Sequence, residues 1–229
     1  MRRLRSLRPY VFRRPSLEGG GARVDIDLTG GDPPFDGLDL YQRSHWRRYE
    51  FALEQFPSRA AVADLACGTG YGSILLSRKA SRVVGVDIDA AAIAAARRRY
   101  RRQRCVEFVL EDLRDFECDS EFDVIVSFET IEHFDERAIA GLLRSFGTAL
   151  KPGGRLVYST PYRQERSPEA IELGFHETFL IDEPRVEDWL RAASFEPIAF
   201  YYQDYATHDV RPERGEADFL IGIAERRNA

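Results

Sequence analysis

Asp64 stands four residues ahead of Gly68, and Gly68, Gly70 and Gly72 then occupy every second position in VADLACGTGYGSILL, residues 62–76. Glycines so placed, between one apolar run and the next, let a backbone turn tightly and approach a ligand with no Cβ in the way. The spacing is not the dinucleotide fingerprint G-x-G-x-x-G, because the third glycine comes one residue early and Ser73 holds the last place. It is not a P-loop either, since no Gly-Lys-Ser/Thr follows. Asp64 argues against a phosphate: two like unit charges ~4 Å apart at intermediate dielectric repel by about 4 kcal/mol. The ligand that suits this loop is cationic or uncharged at that end.

Two further acids follow in order. Asp87 closes VVGVD, 17 residues beyond Gly70, near the distance at which a carboxylate accepts from ribose hydroxyls. Ile88 beside it offers an apolar face to an adenine ring, and Asp112, after CVEFVL, offers an acceptor to the adenine amino group. S-adenosylmethionine meets these demands: it carries a sulfonium and an ammonium and no phosphate. A third group lies in FETIEHF, where Glu129, Glu132 and His133 stand at i, i+3 and i+4. A helical turn there would put all three on one face. His176 lies downstream. Two carboxylates and an imidazole either surround something cationic, or divide into two acids that position backbone and a histidine that serves the core. In the second case His133 or His176, with Glu129 nearby, would remove a proton from an acceptor without a metal.

These residues need a scaffold that brings them to one edge. From residue 60 the chain alternates short β-branched runs (AVADLA, RVVGVD, CVEFVL, FDVIVSF and GRLVYST) with helical patterns at 70–80, 89–102 and 136–150. Asp89 and Asp135 are placed as N-caps, and KPGG stops the helix near Leu150. Such alternation predicts a parallel sheet with helices on both faces, which binds ligands at the carboxyl ends of its strands. After a loop at 161–179 and a helix at 182–193, EPIAFYYQDY and ADFLIGIAER follow with no helix between them. They are therefore expected as antiparallel neighbours. Upstream, Trp46, Tyr49, Leu53 and Phe56 make one apolar face of a helix at 41–56. Tyr41, His45 and Tyr49 on that helix, with Tyr162, Phe175, His176 and Phe179 in the loop, are expected to shape an acceptor pocket. Residues 1–40, rich in Arg, Gly, Pro and Asp, read as tail and loop with room for one short strand; residues 41–229 read as one α/β domain.

Bulk properties bound the rest. Hydrophobic residues make 44% and charged residues 31% of the 229, enough for a sizeable core. No apolar run reaches the ~20 residues of a membrane span. Cys67, Cys105 and Cys118 are scattered and odd in number, which points away from a disulfide framework and towards a reducing cytoplasm. The net charge of −5 disfavours broad nucleic-acid binding. The run ARRRYRRQR (96–104) either grips RNA or places cations at a helix C-terminus, where the dipole favours them.

Taken together, VADLACGTGYG, VVGVDID, LEDL, FDVIVSFETIEH and ALKPGGRLVYSTP resemble the consecutive motifs of class I S-adenosylmethionine-dependent methyltransferases, of the type 11/23-like kind. The likeness covers roughly residues 42–225. It implies a Rossmann-like, doubly wound seven-stranded sheet, mostly parallel with the last strand antiparallel. Its cofactor contacts would fall on Asp64, Ala66, Gly68, Gly70, Asp87, Ile88, Asp112, Leu113 and Phe128. The expected activity is methyl transfer to an oxygen or nitrogen, less readily a carbon, of a small molecule, lipid precursor or sugar. The alternatives are a regulatory protein that binds the cofactor without catalysis, and a nicotinamide-dependent oxidoreductase, which Asp64 and the glycine spacing oppose. The segment Glu129–His133 is also similar to the E-x-x-E-H of small-RNA 2′-O-methyltransferases and to a segment of ubiquinone-type O-methyltransferases. The first likeness implies a divalent metal on Glu129, Glu132, His133 and His176, with RNA as acceptor. Magnesium or manganese would suit the carboxylates, and the imidazoles would also admit zinc or cobalt.

Overall fold

A computed structural model describes residues 24–167 and 176–227. A helix α1 (Leu40–Glu54) precedes β1 (Ala61–Leu65), α2 (Tyr71–Leu76), β2 (Arg82–Asp87), α3 (Ala90–Arg99), β3 (Val106–Leu110) and β4 (Phe122–Phe128). After a 3-10 turn at Ile131–His133 come α4 (Glu136–Ala149), β5 (Leu150–Pro161), α5 (Glu183–Ala192), β6 (Phe195–Gln203) and β7 (Phe219–Arg226). The strands form one sheet in the order β3-β2-β1-β4-β5-β7-β6. β7 is antiparallel to both neighbours and every other pairing is parallel, so the two strands joined without a helix pair as expected.

The helix starts follow from capping. The Asp39 carboxylate accepts from the Tyr41 and Gln42 N–H groups while the Gln42 side chain accepts from Asp39 N–H, a reciprocal box. Asp89, Asp135 and Asp182 cap α3, α4 and α5 by accepting from first-turn N–H groups, without the reciprocal bond. α2 stops four residues earlier than the sequence pattern suggests. Ser77 Oγ donates to the Ile74 carbonyl, Lys79 N–H to that of Leu76, and the chain must enter β2 at Arg82. α3 also ends early, at Arg99, where the buried Tyr100 donates its hydroxyl to the Ile26 carbonyl.

Two cores sandwich the sheet. α1, α2 and α3 pack on one face around Trp46, Leu75, Ile93 and Val126; α4 and α5 pack on the other around Ile139, Phe146, Leu190 and Phe195. Residues 24–39 add Ile26, Leu28 and Leu38 to the first core and form a 3-10 turn at Phe35–Gly37, with no strand. Among the described residues no helix is long and apolar enough to cross a membrane, and the three cysteines are free.

Candidate active site

The carboxyl ends of β1, β2, β3 and β4 meet at one edge, and the glycine loop opens it. Ala66, Gly68 and Gly70 have φ of 65°, 55° and 83°, all left-handed, so the loop reverses the chain between β1 and α2. Two glycines are needed for packing as well. A Cβ on Gly70 would lie 2.4 Å from the Phe108 ring, and one on Gly72 would lie 1.9 Å from the ring of Tyr49. Only part of the glycine pattern is therefore available to a ligand.

Asp64 is placed differently from its expected role. It is buried beneath the loop, and both oxygens have protein partners: Tyr49 Oη donates at 3.1 Å and Ser73 Oγ at 2.6 Å. Burial pushes its pKa up to about 6, the two hydrogen bonds oppose that, and nearby Asp87 adds to it. Asp64 thus ties α1, β1 and α2 together behind the loop. Tyr49, expected to face an acceptor, is the link. Asp87 is also buried. Its Oδ2 accepts from Gly68 N–H at 2.7 Å and its Oδ1 from Asp89 N–H at 2.9 Å. Ile88, the next residue, is 59% exposed, an unusual state for isoleucine and one that leaves an apolar face at the strand end. Asp112 is half-buried and holds its own turn, accepting from Arg114 N–H at 2.9 Å and pairing with the Arg114 guanidinium at 3.1 Å. Leu113 and Phe128 are core side chains. Phe128 stands edge-on to Tyr49 at 5.1 Å, so these two residues offer a ligand only backbone.

The acids after β4 do not share one face. Glu129 has a left-handed φ of 50°, and Ile131–His133 is a 3-10 turn, whose three-residue period breaks the i, i+3, i+4 alignment of an α-helix. Glu129 Oε1 lies 2.8 Å from Arg48 Nη1 and accepts from Ser159 Oγ at 2.7 Å. Arg48 is 1% exposed, donates to Ser159 Oγ at 3.0 Å and stacks over Phe219 with Cζ 4.2 Å from the ring centre. Neither Arg48 nor Ser159 was picked out from sequence. The signal for Arg48 was a charged residue between His45 and Ala52 on the inward arc of α1.

A second cluster forms without Glu129. Glu132, His133 and His176 each place a ligand-type atom within 4.8 Å of the others. Glu132 is fully buried and neither carboxylate oxygen has a hydrogen-bond partner of good geometry; the Thr160 hydroxyl, similarly unpartnered, lies close enough to favour the ionised form slightly. Burial, and then the neighbouring Glu129 charge, hold its pKa well above the usual carboxylate range. The His133 and His176 rings stand edge to face at 5.1 Å. Gln164 Oε1 lies 2.7 Å from His176 Nδ1; with that amide orientation Nδ1 carries the proton and Nε2 keeps its lone pair. Burial and the His133 charge push the His176 pKa down to about 4.

Around this edge, Tyr41 stands edge-on to Tyr205 at 5.8 Å, and Tyr205 stands edge-on to Phe219 at 5.0 Å. His45 is half-buried, and desolvation followed by the Arg48 charge depresses its pKa. Phe179 lies 6.2 Å from His176, and Tyr162 Oη donates to Glu183 at 3.2 Å. Phe175 lies outside the described residues.

Comparisons with known proteins agree with this layout. A sequence-family profile described as a methyltransferase domain matches residues 62–154. A "Probable S-adenosylmethionine-dependent methyltransferase" of Mycolicibacterium smegmatis is 35% identical over 134 residues, which is 56% of this chain and 50% of the relative. The chain spans about half the length of the first curated relatives it matches. Among solved structures, the N-methyltransferase NodS of Bradyrhizobium japonicum, in complex with S-adenosyl-L-homocysteine, superposes with a TM-score of 0.64. The identity there is 17%, over 85% of this chain and 91% of that one. An S-adenosylmethionine-dependent methyltransferase of Mesorhizobium loti gives 0.64 at 21% identity, over 84% and 100%. Residues 62–154 thus match a methyltransferase domain, and the chain is similar in sequence to S-adenosylmethionine-dependent methyltransferases and shares the fold of the class I enzymes.

Proposed function

We propose that the protein is a cytoplasmic methyltransferase that moves a methyl group from S-adenosylmethionine to an oxygen or nitrogen of a small molecule, lipid precursor or sugar. The observation that carries this reading is the pairing of buried Asp87, anchored on Gly68 N–H, with exposed Ile88 at the end of β2. A carboxylate at a strand end beside a bare apolar face fits a ribose and an adenine. The partners of Asp64 are the Tyr49 and Ser73 hydroxyls, which do not invite a phosphate. When bound, the cofactor supplies an electrophilic methyl on a sulfonium. This chain's part is to orient and to exclude water. Asp87 accepts from ribose hydroxyls, Ile88 covers the adenine, and Asp112 accepts from its amino group. The backbone around Ala66, Gly68, Gly70, Leu113 and Phe128 lines the remainder. Asp64 acts from behind, holding the loop. Glu129 is committed to Arg48 and Ser159, so His176, through Nε2, and His133 are the better placed groups to take a proton from an acceptor. Tyr41, Tyr205 and Phe219 form an aromatic wall towards which an apolar acceptor would pack.

Calorimetry with S-adenosylhomocysteine and NAD tests the cofactor, and labelled methyl transfer into a metabolite extract tests the reaction. Micromolar S-adenosylhomocysteine binding and a labelled small molecule are expected. NAD binding without S-adenosylhomocysteine binding would overturn the reading. Cofactor binding without transfer would leave a regulatory protein, and labelled RNA would move the acceptor to nucleic acid.

A second reading has its own observation, the buried Glu132 carboxylate whose oxygens find no partner except across from His133 and His176. These three side chains would hold a divalent cation. One carboxylate and two imidazoles is a softer set than the four positions expected from sequence, and it suits zinc, cobalt or manganese better than magnesium. Such an ion would lower the pKa of an acceptor hydroxyl and fix its position. The test is metal analysis of wild type and Glu132→Ala together with activity in chelator. Stoichiometric metal lost in the variant is expected; full activity in chelator with no metal on the protein would leave the histidines alone as proton acceptors.

A further inference from the structure

His208 lies in the connection between β6 and β7, and that connection crosses the carboxyl edge. Phe219, which opens β7, pairs with Pro161 at the end of β5 and with Gln203 at the end of β6. Tyr202 and Arg211 exchange backbone hydrogen bonds at 2.7 and 3.0 Å and so close the base of the connection. The loop above that base is organised from within. The Asp204 carboxylate accepts from the Ala206 and Thr207 N–H groups, and the Asp204 carbonyl accepts from His208 N–H at 3.0 Å.

The docking of this loop on α1 centres on Ser44. Ser44 and His208 are both buried, and Ser44 Oγ lies 2.9 Å from His208 Nδ1. Ser44 donates its own proton to the Leu40 carbonyl at 3.2 Å. Nδ1 therefore carries the hydrogen of the bond between them, and Nε2 is the nitrogen that acid protonates. Gln203 Nε2 completes the join, donating to the carbonyls of Ser44 at 3.0 Å and of His208 at 2.7 Å. His208 itself has a left-handed φ of 64°, the bend that brings its ring to the helix. Phe35 stands edge-on to the ring at 6.3 Å. The charges that face it are Arg43 and Arg47 from α1, and Asp204 and Asp209 from its own connection. Burial, then the Arg43 charge, holds the imidazole below its ordinary value of 6.5; Asp204 and Asp209 oppose this and Arg47 adds to it. The sign follows from that depression. The docked loop is stabilised above pH 6.5 and loses the contribution as pH falls through the lower, docked value.

We propose that Ser44 and His208 form an acid-released clasp. While the imidazole is neutral, the β6–β7 connection stays on α1; the imidazolium, buried beside two guanidiniums, leaves the helix for water and takes the loop with it. Release carries Tyr205 away from Tyr41 and Phe219, the two rings it meets edge-on where the connection docks. The clasp involves no methyl-transfer chemistry; only its effect on the aromatic wall of the acceptor side rests on the function proposed above.

The test is amide hydrogen exchange of the full chain at about pH 7.5 and about pH 5, either side of the ordinary histidine value, normalised to the intrinsic exchange rate at each pH. Neither cofactor nor acceptor is added, so the outcome does not depend on whether the protein transfers methyl groups. Residues 204–208 of wild type should exchange severalfold faster at the lower pH, while β4 keeps its protection. His208→Asn sets an amide nitrogen at the same δ position, accepts a left-handed φ and takes up no proton. Its connection should stay protected at both pH values. Ser44→Ala should open the connection at both. Unchanged exchange of wild type in acid, equal acid opening of His208→Asn, full protection of the connection in Ser44→Ala, or loss of β4 protection together with that of the loop would each overturn the proposal.

Discussion

The two halves of the carboxyl edge are built on opposite principles. In the half around β1 and β2, the buried carboxylates have partners inside the protein, Asp64 with Tyr49 and Ser73, Asp87 with Gly68 and Asp89, and the Thr69 hydroxyl of the loop is left over. In the half around β4 and β5, polar atoms are buried and left over. Glu132 Oε1 and Oε2, Thr160 Oγ1 and Arg48 Nε all lack partners. An unsatisfied buried polar group costs about 1–3 kcal/mol, so the second half, with four such atoms including both oxygens of a carboxylate, stores the larger demand. On the proposed assignment, the first half is the cofactor's scaffold and the second is the acceptor's site, whose partners would arrive from outside.

The largest expected effect comes where the two halves are bolted together, at Arg48 and Glu129. Glu129→Ala strands the guanidinium of a 1% exposed arginine, and breaking a buried pair in this way costs roughly 3–5 kcal/mol. Urea melts should show that loss. The double variant Arg48→Met, Glu129→Gln should recover part of it, because removing both charges leaves neither uncompensated. A single-variant loss under about 1 kcal/mol, the size seen for surface pairs, would mean that water reaches the pair.

Asp64 gives the next effect and a pH signature. Its pKa is raised from 3.8 to about 6, so the folded protein holds this proton more tightly than the unfolded chain. The sign follows: the contribution is fully present below pH 3.8 and is lost as pH rises through 6, a loss of about 3 kcal/mol by linkage. Asp64→Asn has no such proton to lose. Relative to wild type it should gain stability between pH 4 and pH 7, as chemical melts at several pH values would read. A constant difference across that range would show that the carboxylate is ionised throughout.

The sequence made the first half visible and left the second obscure, and the reason is distance along the chain. Asp64, the glycines and Asp87 lie within 24 residues (64 to 87), each at a strand end, so alternation and turn chemistry place them together. What pattern alone missed there was direction: a buried and an exposed acid look the same in sequence, so Asp64 read as facing a ligand. The second half draws Arg48 from α1, Glu132 from a 3-10 turn, Ser159 from β5 and His176 from the segment between β5 and α5. Their pairing is set by tertiary contact. The α-helical period assumed for FETIEHF failed because Glu129 adopts φ of 50°, which no local signal announced. The sheet, including antiparallel β7, was legible because period-two runs without an intervening helix allow little else.

Asp87 sharpens the comparison from the cofactor side. With cofactor bound, Asp87→Ala would leave ribose hydroxyls and Gly68 N–H without an acceptor, and S-adenosylhomocysteine affinity should fall by about 2–4 kcal/mol, roughly 30- to 1,000-fold. Metal content on the Glu132 cluster should not change. Equal cofactor affinity in a folded variant would remove Asp87 from the site.

The smallest expected effect asks whether the first half is a unit. Gly72 faces Tyr49, and a Cβ there would lie 1.9 Å from the ring. In Gly72→Ala the ring must shift, and overpacking of this kind costs roughly 1–3 kcal/mol. Tyr49 is also the donor to Asp64 Oδ1 and the edge-on neighbour of Phe128. A shift therefore loosens α1 from the loop and leaves Asp64 with Ser73 alone. With one of its two pKa-lowering partners gone, Asp64 should hold its proton to higher pH than in wild type, and the stability transition near pH 6 should move upward. The Glu132–His133–His176 cluster shares no hydrogen bond with Tyr49, so its metal content should stay constant. If Gly72→Ala instead changes metal content while leaving the Asp64 transition in place, the division of the edge into two independent halves is wrong.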